Sequence, residues 1–193
     1  MLARSLESAP ARDIGIADPS EGPAVLEQEI IRLFDLNRAP IMRYLYSFGL
    51  SAQDSEEVIQ EVFLALFQHL RKGRPRTNVQ GWVFRVAHNL GLKRALAAKR
   101  EYPVPEHADR MDSALNPEEQ IAADQRRRRL LSVVDALPEQ DKRCLYLRAE
   151  GLRYREITTV LGMSLGAVAQ SLERTLARLS RADSHHEAVH KAR

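Results

Sequence analysis

Apolar positions recur every three or four residues through most of this chain, and no segment with the two-residue period of a strand stands out. Leu26, Ile30, Leu33 and Phe34 start the pattern at about Ala24, and Ile41 and Leu45 carry it past Pro40. A proline inside a helix deletes a hydrogen bond and crowds the turn before it, so a kink or break is expected there. Gly49 and Ser51-Ala52-Gln53-Asp54 read as a turn leading into a helix N-cap. From Ser55 to Leu70 the periodicity is strongest, with Val58, Ile59, Val62, Phe63, Leu66, Phe67 and Leu70 on one face. After a Gly-Arg-Pro-Arg-Thr-Asn loop, Gln80 to Lys99 reads as a third helix that buries Trp82, Val83, Val86, Ala87 and Leu90.

The pattern then stops and restarts. Pro103, Pro105 and Pro117 forbid a regular helix through residues 101–117, where Glu101, Glu106, Asp109 and Asp112 outnumber Arg110. Helical spacing resumes at Glu118, through Leu130, Val133, Val134 and Leu137, until Pro138; a further helix reaches about Glu150, and Gly151 turns the chain. Tyr154 to Leu161 is a short helix, Gly162-Met163-Ser164 a tight turn, and Leu165 to Leu179 a helix with Val168, Leu172, Leu176 and Leu179 inward. This is helix-turn-helix spacing: glycine supplies the positive φ of the turn, and the valine packs the two helices at a steep angle. An ordinary helical hairpin is the plain alternative. The expected fold class is all-α: two small helical domains, 25–100 and 118–182, joined by an acidic flexible linker, the second a helix-turn-helix of winged-helix-like type. Residues 1–24 and 183–193 are expected to be disordered.

Charge changes the picture more than composition does. The net charge is only +3 and hydrophobic content an ordinary 44%, but charge is segregated. Residues 51–70 carry Asp54, Glu56, Glu57 and Glu61 with no Lys or Arg; residues 71–100 carry nine bases and no acid. A basic surface with aromatics beside it suits nucleic acid, and the acidic neighbour then suggests a separate protein partner. No Gly-rich phosphate loop, catalytic triad or zinc spacing is present, so neither enzymatic activity nor a cofactor or metal is expected. His186 and His190 stand four apart, but in a polar tail. Cys144, the single cysteine, lies among Leu145 and Leu147 and reads as inert core. Without a signal peptide or a run approaching 18 apolar residues, a cytoplasmic protein with no membrane partner is expected.

Asp54-Ser55-Glu56-Glu57-Val58-Ile59-Gln60-Glu61-Val62-Phe63-Leu64 resembles region 2.2 of bacterial sigma factors of the extracytoplasmic-function (ECF) type, in the sigma-70 family. Gly81-Trp82-Val83-Phe84-Arg85-Val86-Ala87-His88-Asn89 resembles the family's regions 2.3 to 2.4. Leu137-Pro138, Gly151 to Ile157 and Leu161 to Val168 resemble region 4. The resemblance implies a factor that binds core RNA polymerase, directs it to promoters through −35 and −10 elements and assists melting. By the same resemblance, Asp54, Glu57, Gln60, Glu61 and Leu64 would meet the β′ clamp helices; a solvated acidic face is the bland reading. Arg74, Arg76, Asn78, Gln80, Arg85, His88, Asn89 and Lys93 would serve the −10 element, with Trp82 kept for the core. Arg153, Arg155, Ser164, Gln170, Glu173, Arg174 and Arg178 would serve the −35 element. In that last helix Ala169 and Ser171 stand where the family usually has bases, and Glu173 adds an acid. Fewer phosphate contacts imply weaker affinity and a shallower salt slope, and region 4 could instead chiefly contact the β flap. An anti-sigma factor or similar regulator is the further implied partner. The rival reading is a stand-alone helix-turn-helix transcriptional regulator; a sigma-like protein that occupies polymerase without initiating is a third.

Overall fold

In the computed structural model, residues 23–75, 77–101 and 117–190 are described, with side chains for 24–75, 77–98 and 124–184. These residues form seven helices and no strand: α1 (Pro23–Tyr46), α2 (Ala52–Arg71), α3 (Val79–Glu101), α4 (Pro117–Asp135), α5 (Glu139–Ala149), α6 (Tyr154–Leu161) and α7 (Leu165–His190). Residues 1–22 of the segment expected to be disordered, 1–24, and most of the expected linker, 102–116, lie outside the described residues.

Helices α1 to α3 pack on one another around the predicted stripe. Val58, Ile59, Val62 and Leu66 of α2 are almost wholly buried with Leu33, Ile41 and Leu45 of α1 and Val83, Phe84 and Ala87 of α3. Phe34 meets Phe63 edge-on at 5.0 Å. Ser51 caps α2, its hydroxyl accepting from the Asp54 N–H at 3.0 Å. Of the kink or break expected at Pro40, a break does not occur, since α1 runs through the proline. Burial decides this: Ile41, Tyr44 and Leu45 just beyond the proline are all 0% exposed. Each such side chain contributes about 1.5–3 kcal/mol, which together exceeds the ~3 kcal/mol cost of an internal proline.

In the second half α7 packs on α4, α5 and α6. Gly162 ends α6 at φ 66°, the left-handed conformation the turn requires. Leu147, Leu152, Ile157, Val168 and Leu172 form the buried centre. Helix α7 continues to His190, into the segment expected as a polar tail. One tie favours this: Arg126 of α4 donates through Nε and Nη2 to the Asp183 carboxylate at 2.5 and 2.6 Å.

The halves are not independent bodies. α3 packs directly against α6, and the buried apolar residues of both halves form one contiguous cluster.

Candidate functional site

The residues singled out from the sequence lie on three surfaces. The first is the outer side of α2. Gln60, Glu61 and Leu64 are exposed there, Leu64 by 59% although it is apolar. Asp54 and Glu57 are less free than the acidic run implies. Arg94 of α3 donates to Glu57 at 2.5 Å and stands 3.9 Å from Asp54 and 4.0 Å from Glu61. Asp54 also accepts from the Ser51 hydroxyl at 2.5 Å. One cation of the basic helix therefore gathers three acids of the acidic helix. Arg94 carried no site expectation; the signal for it was its place near the end of a basic helix bound to follow an acidic one.

The second surface is the solvent side of α3 and the loop before it. Arg85, Asn89 and Lys93 are all exposed, at the four-residue spacing that puts them on one side. Arg74 is exposed in the loop, Gln80 is half-buried, and Arg76 lies outside the described residues. Asn78 is committed to the fold. At φ 57° it caps α3, its Oδ1 accepting from the Gly81 N–H at 3.1 Å. Gly81 suits the cap because a Cβ there would lie 2.6 Å from the Asn78 amide. Trp82 is half-buried against the core, its ring 4.8 Å from His69.

His88 does not join this row. Its ring turns inward, Nδ1 standing 2.8 Å from the Tyr44 hydroxyl, and it meets Phe48 edge-on at 5.7 Å. Burial, then the nearby charge of Arg143, pushes its pKa down from 6.5 to about 4, so the ring is neutral at pH 7. His88 therefore does not stand in the exposed row with Arg85, Asn89 and Lys93, beside which it was expected.

The third surface is the helix-turn-helix. Ser164 caps α7, accepting from the Ala167 N–H at 3.2 Å, so its hydroxyl is committed to the helix. Gln170, Glu173 and Arg178 of α7 are exposed, as are Arg153 and Arg155 at the start of α6. The backbone N–H of Arg153 donates to Glu156 at 2.6 Å, which fixes that start. Arg174 is 54% exposed, but one nitrogen donates to Asp141 at 3.2 Å. The same Asp141 oxygen accepts from the buried Ser171 hydroxyl at 2.6 Å. Ser171 thus faces α5, not solvent, and the base missing there is missing from an inward position. The spacing of α7 alone did not show that α5 would bring a carboxylate beneath it.

Among the described residues no helix is long and apolar enough to cross a membrane, and no group of three metal-ligating side chains exists. The side chains of His186 and His190 lie outside them. Cys144 is fully buried, and burial raises its thiol pKa.

Comparison with known proteins agrees with the geometry. The model of Sigma-70 region 2 matches residues 33–101, and that of Sigma-70 region 4 matches residues 127–179. The ECF RNA polymerase sigma factor SigE of Mycolicibacterium smegmatis is 32% identical over 138 residues, 69% of this chain and 53% of that protein. The chain thus spans about half the length of that relative. The ECF RNA polymerase sigma factor ShbA of Streptomyces griseus is 33% identical over 131 residues, 65% of this chain and 67% of that protein. Among solved structures, the sigma factor RpoE from Bartonella quintana, in complex with the anti-sigma factor NepR, aligns over 80% of this chain and 96% of its own. Its TM-score is 0.62 at 14% identity, a likeness of fold.

Proposed function

This chain belongs to the sigma-70 family, among sigma factors of the ECF type, and on that premise we propose that it binds core RNA polymerase, directs it to promoters and assists opening of the −10 element. The observation that carries this is the pairing of two exposed surfaces on adjoining helices: Gln60, Glu61 and Leu64 on α2, and Arg85, Asn89 and Lys93 on α3. They carry opposite charge and do not overlap, so one domain can hold a protein and a nucleic acid together. The acidic and apolar rim suits the β′ clamp helices. The basic row, with Arg74 and Arg76 before it, suits the non-template strand. Asn89 has an amide that can hydrogen-bond a base edge. Arg153, Arg155, Arg178, Gln170 and Glu173 face the −35 element, Gln suiting adenine and Glu suiting cytosine N4.

The chemistry of RNA synthesis would belong to the polymerase, and the site of action would be the cytoplasm. An anti-sigma factor is the proposed regulator, supported by the assembly in which the RpoE structure was solved. A stand-alone helix-turn-helix regulator is not favoured, because the region 2 match covers residues 33–101, most of the first domain. Run-off transcription with purified core polymerase and a pool of host promoter fragments tests the reading. Specific transcripts should require this protein and vanish with Glu61→Lys through lost core binding. Asn89→Ala should keep core binding and weaken opening. Tight DNA binding without polymerase and no initiation would overturn the reading.

A further inference from the structure

Arg94 stands where the two candidate surfaces of the first domain meet. On α3 the exposed row of Arg85, Asn89 and Lys93 has a second row beside it: Val86, Leu90 and Arg94, each one residue further on and about 100° further round the helix. Val86 and Leu90 of that second row pack on the core, and Arg94 ends it at the edge of α2. Residues 71–100 hold no acid, so the acids this guanidinium meets are those of α2, while its sequence neighbour on α3 is the cation Lys93. Its contact with Glu57 is a close hydrogen bond at 2.5 Å. Asp54 at 3.9 Å and Glu61 at 4.0 Å lie beyond hydrogen-bond distance and attract it by charge. All four side chains are partly in water, and ion pairs of that kind are weak enough to exchange partners.

Three carboxylates around one guanidinium leave an excess of negative charge on α2. A protein surface that brings its own cations to Glu57 and Glu61 is drawn in by that excess and competes with Arg94 for them. A displaced Arg94, on its long stem, turns toward Lys93, and beside another cation it needs an anion. A phosphate lying along Arg85, Asn89 and Lys93 supplies one, and a guanidinium fork suits it. We propose that Arg94 is a shared counter-ion that couples the two surfaces: it neutralises the acids of α2 in the free chain and passes to a nucleic-acid phosphate when a protein partner takes those acids. The identity of that partner, core polymerase, rests on the sigma-factor reading. The coupling is reciprocal, as linkage requires. A phosphate that draws Arg94 away uncovers Glu57 and Glu61 for the polymerase.

The test measures two affinities of the full chain by fluorescence anisotropy. One is for core polymerase. The other is for a labelled single-stranded DNA oligonucleotide of mixed sequence, with the chain free and with the chain bound to core, and core alone as the baseline. Arg94→Ala should bind core about threefold more tightly, because the acids of α2 are uncovered. It should leave the single-strand affinity of the free chain unchanged. In the complex it should lower that affinity by about threefold and make its salt slope shallower by about 0.7. Arg94→Lys keeps the charge and should bring these values back toward wild type. Weaker core binding by Arg94→Ala, an equal loss of single-strand affinity with and without core, or no change in any of the values would overturn the coupling. Circular dichroism checks the fold. Should Arg94→Ala lose helix content, Arg94→Gln, which removes the charge and keeps a polar stem, takes its place. A wild type that does not bind core would overturn the sigma-factor reading itself, whereas core binding unmoved by the variants overturns the coupling alone.

Discussion

In the first half, the acids of α2 meet Arg94, a cation 35% exposed to solvent, while in the second half Asp141 of α5 is only 5% exposed beneath α7. The first arrangement is a surface network. Its core is a continuous apolar stripe, so the polar sides of α2 and α3 are largely left to solvent. The second arrangement is part of the core. Asp141 holds Ser171 and Arg174 by hydrogen bonds, so two polar residues of α7 are engaged from below. The first domain therefore keeps packing and exposed polar side chains on separate faces, and the second partly merges them. Fewer free polar side chains on α7 follow from that merger, without any loss of the fold.

The largest expected consequence is in Asp141→Ala. A buried carboxylate with two partners disappears, and the Ser171 hydroxyl is left buried without an acceptor. The loss should be about 2–4 kcal/mol, seen as a lower midpoint in urea. If it costs less than a surface pair, the contrast between the halves is wrong.

Next comes an acid response at His88. The unfolded His88 takes up a proton near pH 6.5, the folded one only near 4. Between those values the unfolded chain binds more protons, so stability is full above 6.5, falls as pH drops, and levels below 4. A fully buried ring would lose ~3 kcal/mol; contact with water reduces this to about 1–2 kcal/mol. Urea midpoints of wild type and His88→Gln across pH 4–7 should diverge in slope. Parallel slopes would mean that the ring is not desolvated in solution.

Asn78→Ala removes the cap of α3 and should cost about 1 kcal/mol. Calorimetry reads that cost, and a sigma-dependent transcript reads whether the loop has moved. A neutral result would return Asn78 to the set of free loop residues.

Much of this was legible along the chain, and what was not has a common cause. The α2 stripe, the bounds of α6, the left-handed Gly162 and the exposed row of Arg85, Asn89 and Lys93 follow from local periodicity and turn chemistry. The continuation of α1 through Pro40 was hidden because local propensity lost to burial of the residues beyond it. The roles of His88, Ser171 and Arg94 depend on Tyr44, Asp141 and Glu57, which stand 44, 30 and 37 positions away. Helical periodicity tells which side a residue takes, but not what a distant helix will place against that side.

The smallest effect is the most exacting for the comparison. Glu57→Gln removes the closest partner of Arg94, but both side chains are partly in water, 45% and 35% exposed. Asp54 and Glu61 remain within 4.0 Å to share the cation. The expected cost is therefore under about 1 kcal/mol, shrinking further in high salt. Core binding should respond more than stability does, because neutralising Glu57 leaves Arg94 freer to swing onto Asp54 and Glu61. That would subtract negative charge from the rim beside Leu64. A titration of core polymerase against wild type and Glu57→Gln, at low and high salt, separates the two effects. Weaker, salt-sensitive binding with an unchanged urea midpoint would mark the network as part of the partner surface. A large stability loss would instead make Arg94 the equal of Asp141, and the distinction between the two halves would fail.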